Sequence, residues 1–355
     1  MPIQKAQKQR KSGRAGKIED VAAATGVSIM TVSRAMRGVE GVSESKRAEI
    51  LKAAKRLSYV PNSNARSLAV AHSDLIGISL PTFLDDVFAD ILEGMRSALD
   101  NAGFETVIDT TGYCERREEA WVDRMLAWHP AGVILGGVHH SPAVSASLKS
   151  ARIPTLQTWD YTPDPIDICV GIDHFAAGGL AGSQLLERGY RRPGIVGVTR
   201  GRDLRAEARF AGFRDAFASA GVTDIPESRI DKHASFEAGM LGAQALLEQS
   251  RPVPDVLFFL SDHMAFGGLS ACEAQDLRTP EDIGIMGFNG LGINTVLRRP
   301  LATIVSPRKQ MGHLGARNLL ARIHGVRTER HVALPVEFQP GGTLRSLPGE
   351  SPVHD

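Results

Sequence analysis

The sequence predicts an α/β protein in which an all-α helix-turn-helix headpiece precedes a two-lobed core of doubly wound parallel sheets. Three observations predict it. Apolar residues recur at helical spacing on both sides of a glycine turn in residues 17–38. From Leu75 onward, short apolar runs alternate with amphipathic helices. Charge is also split along the chain: residues 1–72 carry 14 Lys/Arg against 5 Asp/Glu, a net of +9, and the remainder 27 against 35, a net of −8. A basic amino-terminal segment on an acidic body suits a polyanionic partner at one end.

Residues 1–16, rich in Lys, Arg, Gln, Ser and Gly, read as a basic disordered tail. Ile18, Val21, Ala22 and Thr25 mark the inward face of a first helix, which Gly26 stops where a left-handed residue is wanted. Ser28 is placed to cap a second helix, with Val32 as its inward anchor and Ile29, Met30, Ser33 and Arg34 turned outward. Ser43 can cap a third helix, Glu44 to Leu57, in which Ile50, Ala53, Ala54 and Leu57 make an apolar stripe. Three small helices then share one core, and the headpiece spans 17–60. Pro61 breaks the chain, and within a 61–72 linker residues 62–69 read as a short hinge helix with Ala65, Leu68 and Ala69 on one side. A helix this short is marginal alone.

In the body, strands are expected at Leu75–Leu80, Thr106–Ile108, Gly132–Leu135 and Pro154–Leu156, separated by helices at Val87–Asn101, Arg116–Trp128 and Ala143–Ala151. A second set follows, with strands at Ile195–Val198, Arg229–Ile230, Val256–Phe259 and Ile283–Phe288 and helices at Phe175–Arg188, Arg205–Ala220, Phe236–Gln249 and His263–Asp276. Ligands of such sheets bind outside the carboxyl ends of the strands, so the cleft between two facing sheets is the natural site.

At 355 residues the chain is long enough for two or three domains. Cys114, Cys169 and Cys272 are scattered, without a CxxC or Cys/His cluster, which points to reduced thiols and a cytoplasmic setting. No apolar run approaches the ~20 residues of a membrane span, and no signal-peptide pattern follows the basic start. No GxGxxG, GxxxxGK[ST], HExxH or GxSxG pattern is present, so an enzyme is not expected, and neither cofactor nor metal is implied. The pair His139-His140 has no acidic or cysteine partner at ligand spacing and reads as a solvated loop.

Asp20-Val-Ala, Gly26-Val-Ser, Thr31-Val-Ser-Arg, Tyr59-Val-Pro-Asn and Leu68-Ala together resemble the headpiece and hinge of the lactose-repressor (LacI/GalR) family of bacterial transcription regulators. The likeness runs to about Gly342. Phe88-Ala-Asp-Ile-Leu-Glu-Gly, Val170-Gly-Ile-Asp, Ser306-Pro-Arg-Lys-Gln-Met-Gly and Leu320-Ala-Arg-Ile-His-Gly are similar to the gluconate-utilisation repressors within that family. The resemblance implies a periplasmic-binding-protein-like core over 73–342 whose chain crosses between lobes near 173, 300 and 335. The helix Arg308–His324 would then return to the first lobe, and Val332–Phe338 would close the second. It also implies a homodimer, and the short remainder 343–355, read as a flexible tail, is too small for a tetramerising helix bundle.

For DNA, the family motif puts Ile29, Met30 and Arg34 at base edges in the major groove, and Lys17, Thr31, Ser33 and Arg37 at phosphates. Ile29 and Met30 depart from the polar residues of the lactose repressor itself, which implies a different operator. Asn62, Ala65 and Leu68 fall on the hinge, where paired leucines wedge into the minor groove of a pseudo-palindromic site. In the cleft the matched positions are Phe88, Asp173, Arg209 and Asn289, joined by Arg205 one helical turn before Arg209, Arg308 after a strand end, and Asp160 with Gln157 after the fourth strand. Asn289 replaces the aspartate usual in sugar-binding relatives. Together with the arginines, this favours a sugar-acid effector, gluconate or a keto- or phospho-derivative, since a neutral sugar would leave Arg209 buried and unpaired. The function expected is an effector-controlled repressor. An activator of the same fold and a neutral-sugar effector are alternatives, and a secreted solute-binding protein is disfavoured by the headpiece.

Overall fold

The computed structural model describes residues 16–36, 38–59, 73–83, 86–199 and 203–347. The expectations for Arg37, Asn62, Ala65, Leu68 and the hinge lie outside the described residues. The chain divides into two compact units, with the boundary between Ser73 and Asp74.

In the first unit, α1 (Ile18–Thr25), α2 (Ile29–Met36) and α3 (Glu44–Arg56) pack around Val21, Val32 and Ile50, one fully buried residue from each helix. Gly26 ends α1 at φ +65°, a conformation that costs a side chain strain and glycine little. Ser28 Oγ accepts a hydrogen bond from the Thr31 amide at 3.1 Å, so the turn and the cap act as the sequence requires. Ser43 occupies the N-cap position of α3, but its hydroxyl makes no bond to a helix amide; it lies 3.4 Å from the Ser45 hydroxyl. The Gly16 amide donates to the Leu57 carbonyl, which ties Gly16 to the headpiece and away from the tail it was assigned to.

The second unit carries β1 (Leu75–Leu80), α4 (Asp86–Asn101), β2 (Glu105–Thr110), α5 (Glu115–Ala127), β3 (Gly132–Gly136), α6 (Pro142–Ala151), β4 (Thr155–Asp160) and β5 (Ile168–Ile172). It continues through α7 (His174–Glu187), β6 (Pro193–Val198), α8 (Leu204–Ser219), β7 (Glu227–Ile230), α9 (Phe236–Gln249), β8 (Val256–Phe259), α10 (Asp262–Glu273), β9 (Gly284–Asn289) and β10 (Ala302–Val305). It ends with α11 (Arg308–Ile323), β11 (His331–Ala333) and β12 (Glu337–Gln339). The first sheet has the order β2-β1-β3-β4-β5-β11 and the second β7-β6-β8-β9-β10-β12, the same winding twice. Every pairing is parallel except β10 with β12. The inner strands, buried on both faces, read as apolar runs such as Val256-Leu-Phe-Phe, whereas the edge strand β2 is half exposed and mixed in polarity.

The chain leaves the first sheet after Ile172, where Asp173 caps α7 by accepting from the Ala176 amide at 3.0 Å. It returns at Ser306-Pro307, not near Pro300, because Ala302–Val305 adds β10 beside β9 before the passage. Helix α11 then lies so close to α4 that a Cβ on Gly94 would sit 2.1 Å from the Lys309 carbonyl oxygen. Val332–Phe338 is not one closing strand. β11 adds to β5 in the first sheet, Leu334 to Val336 pass across, and β12 pairs with β10 in the second. The segment from Thr343 is not a loose tail at its start: Thr343 is fully buried, its hydroxyl donates to Ile285 O at 2.7 Å and accepts from the Ala302 amide at 2.9 Å. Leu344 is buried too, so the core runs past 342 and anchors the edge of the second sheet.

Candidate functional site

The headpiece presents two surfaces of interest. On α2, Ile29 is 48% and Met30 66% exposed, an unusual position for apolar side chains unless a partner covers them, and Arg34 is exposed one turn on. Thr31 and Ser33 are half-buried between them, with the Thr31 hydroxyl 2.9 Å from that of Ser28. Lys17, exposed ahead of α1, has its backbone amide on the Asp20 carboxylate at 2.8 Å, which leaves its ammonium on the surface. The arrangement offers apolar groups at the start of one helix and a guanidinium in its last turn, flanked by hydroxyls.

In the second unit the carboxyl ends of the two sheets face each other. The strand order reverses at β1/β3 in one sheet and at β6/β8 in the other, and the loops there line the cleft. A cavity of about 30 Å³ between the lobes is walled by Val87 and Phe88 of α4, Trp159 at the end of β4, and Asp203, Arg209, Ser261 and Asn289 of the second lobe. A neighbouring cavity of about 200 Å³ opens mostly within the first lobe, past Thr111, Glu118, His140 and Asp160. Tyr113 and Arg205 border both.

The charges of the cleft are closely matched. Asp203 caps α8 by accepting from the Arg205 and Ala206 amides at 3.0 and 3.3 Å, and also takes the Arg205 Nε at 3.2 Å. Asp160, at the end of β4, lies 3.8 Å from the Arg205 Nε, which makes Arg205 a bridge from the first lobe to the second. Its guanidinium also stacks over Tyr113 at 5.4 Å and Phe88 at 5.9 Å. Arg209 is 3% exposed; its Nη1 donates to His174 Nδ1 at 2.9 Å, its Nη2 to Leu260 O at 3.4 Å, and its plane lies 4.2 Å from the Phe288 ring centre. His174 in turn holds Asp160 Oδ1 at 3.2 Å. Burial opposes ionisation of Asp203, but Arg205 and Arg209 outweigh it and hold its pKa at about 2. The same contest, won by Arg205 and the His174 bond, keeps Asp160 below the usual carboxylate range.

Asn289 ends β9 at φ +113°, a strained backbone for a residue with a side chain. Its Oδ1 is buried on the cleft wall and accepts no hydrogen bond among the described residues. An unsatisfied buried acceptor is uncommon.

Residues 17–62 match the family described as "Bacterial regulatory proteins, lacI family", and residues 73–340 the one described as "Periplasmic binding proteins and sugar binding domain of LacI family". The chain belongs to the LacI family. It is 33% identical to the HTH-type transcriptional regulator GntR of Escherichia coli K12 over 332 residues, which is 92% of this chain and 98% of that protein. The GntR regulator of Pseudomonas aeruginosa is 32% identical over 341 residues, 96% and 98% of the two chains. Among solved structures, a LacI-family regulator from Silicibacter pomeroyi superposes with a TM-score of 0.87 at 34% identity, covering 93% of this chain and all of that one. The lac repressor dimer bound to operator and the anti-inducer ONPF gives a TM-score of 0.80 at 22% identity, covering 94% of this chain and 100% of that one, a likeness of fold. This LacI-family protein is a DNA-binding transcription regulator, as the relatives named are. No helix among its described residues is long and apolar enough to cross a membrane.

Of the residues expected at the effector site, Phe88, Asp160, Arg205, Arg209 and Asn289 come together at the cleft. Asp173 does not line it, being turned to the α7 cap. Arg308 does not either. It clamps Asp90 of α4 at 2.9 Å, Ser306 Oγ at 3.1 Å, Gly290 O at 3.2 Å and the Asn289 carbonyl, which fixes the passage between lobes. Gln157 is held by the Ile166 amide at 2.7 Å. Of the His139-His140 pair, His139 is exposed in a loop as expected, whereas the His140 side chain is buried, with Glu118 at 2.9 Å and Gly137 O at 3.0 Å. The expectation that Arg209 would be unpaired without an anion also fails, since His174 and Leu260 O engage it and Asp203 lies 4.0 Å away. Sequence reading missed His174, Asp203, Trp159 and Tyr113. Asp203 had a readable signal, an acidic residue at a helix start; His174 owes its position to the first passage between lobes.

Proposed function

We propose that this LacI-family chain acts as a homodimer on a pseudo-palindromic operator, read by Ile29, Met30 and Arg34, and that a small sugar acid held between its lobes controls operator affinity. The observation that carries the effector reading is the convergence of two buried guanidiniums and the unsatisfied Asn289 acceptor at the carboxyl ends of both sheets. Arg209 and Arg205 suit a carboxylate, Asn289 and Asp160 suit hydroxyl hydrogens, and Phe88 with Trp159 suits a carbon chain. Similarity to gluconate-utilisation repressors puts gluconate first. A ligand touching both walls binds one lobe arrangement better than another, which is the requirement for control.

A neutral sugar is the second reading, favoured by the balance of Asp160 and Asp203 against Arg205 and Arg209. A carboxylate competes with Asp203 for its guanidinium, so its advantage is that of one charge-assisted bond, about 1.5–3 kcal/mol or roughly tenfold to hundredfold. Calorimetry decides. Gluconate binding tighter than glucose by that factor supports the sugar acid, and equal affinities refute it while leaving the DNA-binding assignment intact.

A further inference from the structure

His174 sits where both lobes and all the cleft charges meet. Asp160 faces it from β4, Arg205 and Arg209 from α8, and Asp203 from the loop before α8, while the Trp159 and Phe288 rings close the remaining sides at 5.2 and 6.2 Å. A guanidinium only donates hydrogen bonds. The Nδ1 that meets Arg209 therefore carries a lone pair, and the imidazole proton is on Nε2, toward Asp160. His174 is neutral in this arrangement, as burial and the Arg209 charge also require by lowering its pKa. Two carboxylates and two guanidiniums surround it, so this cluster has no net charge to offer an anion.

We propose that His174 is a positioning residue that aims Arg209 into the cleft and takes up one proton from solvent when a ligand carboxylate captures the Arg209 donor. This rests on the sugar-acid reading above. Once Arg209 turns to the ligand, the Nδ1 lone pair is released beside an added negative charge, with Asp160 already bound at Nε2. A proton at Nδ1 then lets the imidazolium donate to Asp160 on one side and toward the ligand on the other, and restores electrical balance in a buried charge cluster. No other bond is made or broken. The effector and the proton bind together, and a neutral sugar brings no such coupling.

The test is calorimetry of gluconate with the full chain in PIPES and in Tris, whose ionisation enthalpies differ, at several pH values. Uptake of about half to one proton per gluconate near neutral pH is expected, with affinity falling up to about tenfold per pH unit as pH rises. In H174Q the amide can still donate to Asp160 and accept from Arg209; gluconate should bind with no proton uptake and a flat pH profile. The imidazole nitrogen chemical shifts of His174 in the wild-type chain, read before and after gluconate, give an answer independent of that variant's folding; a doubly protonated ring is expected after. Gluconate binding without proton uptake, uptake that persists in H174Q, or an unchanged ring overturns the inference alone. Failure of gluconate to bind at every pH overturns the sugar-acid reading and the inference with it.

Discussion

Arg34 on the headpiece and Arg209 in the core are the same side chain in opposite settings. Arg34 stands exposed on a short helix that buries only Val32 and Ala35. Arg209 is enclosed by His174, Leu260 O and the Phe288 ring, with Asp203 nearby. The first arginine contributes little until DNA supplies its acceptors, so its role is separable from folding. The second is part of the fold and of the site at once, because a buried charge must be matched before any ligand arrives. A surface site can thus be read from which residues face outward, whereas a buried site is defined by its internal pairing.

The largest effect should come from breaking the buried member of the comparison. Arg209→Ala leaves two largely buried carboxylates, Asp160 and Asp203, against the single guanidinium of Arg205 and takes the donor from His174 Nδ1, and the loss should be about 3–5 kcal/mol of core stability, read by chemical denaturation. Arg34→Ala should leave that stability within about 0.5 kcal/mol. Its effect should appear in operator binding, as about 1–3 kcal/mol at one base pair per half-site, measured by competition among operator variants.

Asp203 sharpens the contrast through pH. Its pKa of about 2 in the folded chain lies below that of an unfolded aspartate. The stabilisation, about 2 kcal/mol, is therefore complete above about pH 4 and lost as pH falls toward 2. Asp203→Asn should flatten that part of the acid limb of stability against pH. No matching effect is expected in the headpiece variants.

The smallest effect belongs to Lys17, exposed at the headpiece surface. Lys17→Ala should weaken all DNA sequences alike and reduce the salt slope by about one. For the proposed dimer that log–log slope should lie near −5 to −9 if it makes about six to ten phosphate contacts.

The same contrast explains what the sequence disclosed. The three headpiece helices were legible because spacing, Gly26 and Ser28 are local signals, each satisfied within a few residues. Most apolar strands of both sheets were legible for the same reason, Leu75–Leu80 and Val256–Phe259 to the residue, although Ile168–Ile172 was not among those expected. β10 escaped notice because Ala302-Thr-Ile-Val is short and follows Pro300, and its place is set by pairing with β9. Val332–Phe338 looked like one strand because a single extended run serves two sheets on either side of Pro335. Thr343 looked like tail because its burial depends on Ile285 and Ala302, more than forty residues away. In the cleft, Phe88, Arg209 and Asn289 were found by their match to a family pattern, and Arg205 by its place one helical turn before Arg209. Arg308 was singled out for following a strand end, yet Asp90 and the Asn289 carbonyl occupy it. Nothing near His174 in the chain announces Asp160 and Arg209, which reach it from two other elements.

The most direct test of the account couples its two regions in one titration. A duplex chosen from palindromic pools by the full chain is titrated, by fluorescence anisotropy at fixed salt, alone and with saturating gluconate or glucose. The account predicts that gluconate changes operator affinity by about a hundredfold, a coupling of about 2.8 kcal/mol, while glucose leaves it in place. Operator affinity indifferent to gluconate, or shifted equally by glucose, would contradict it.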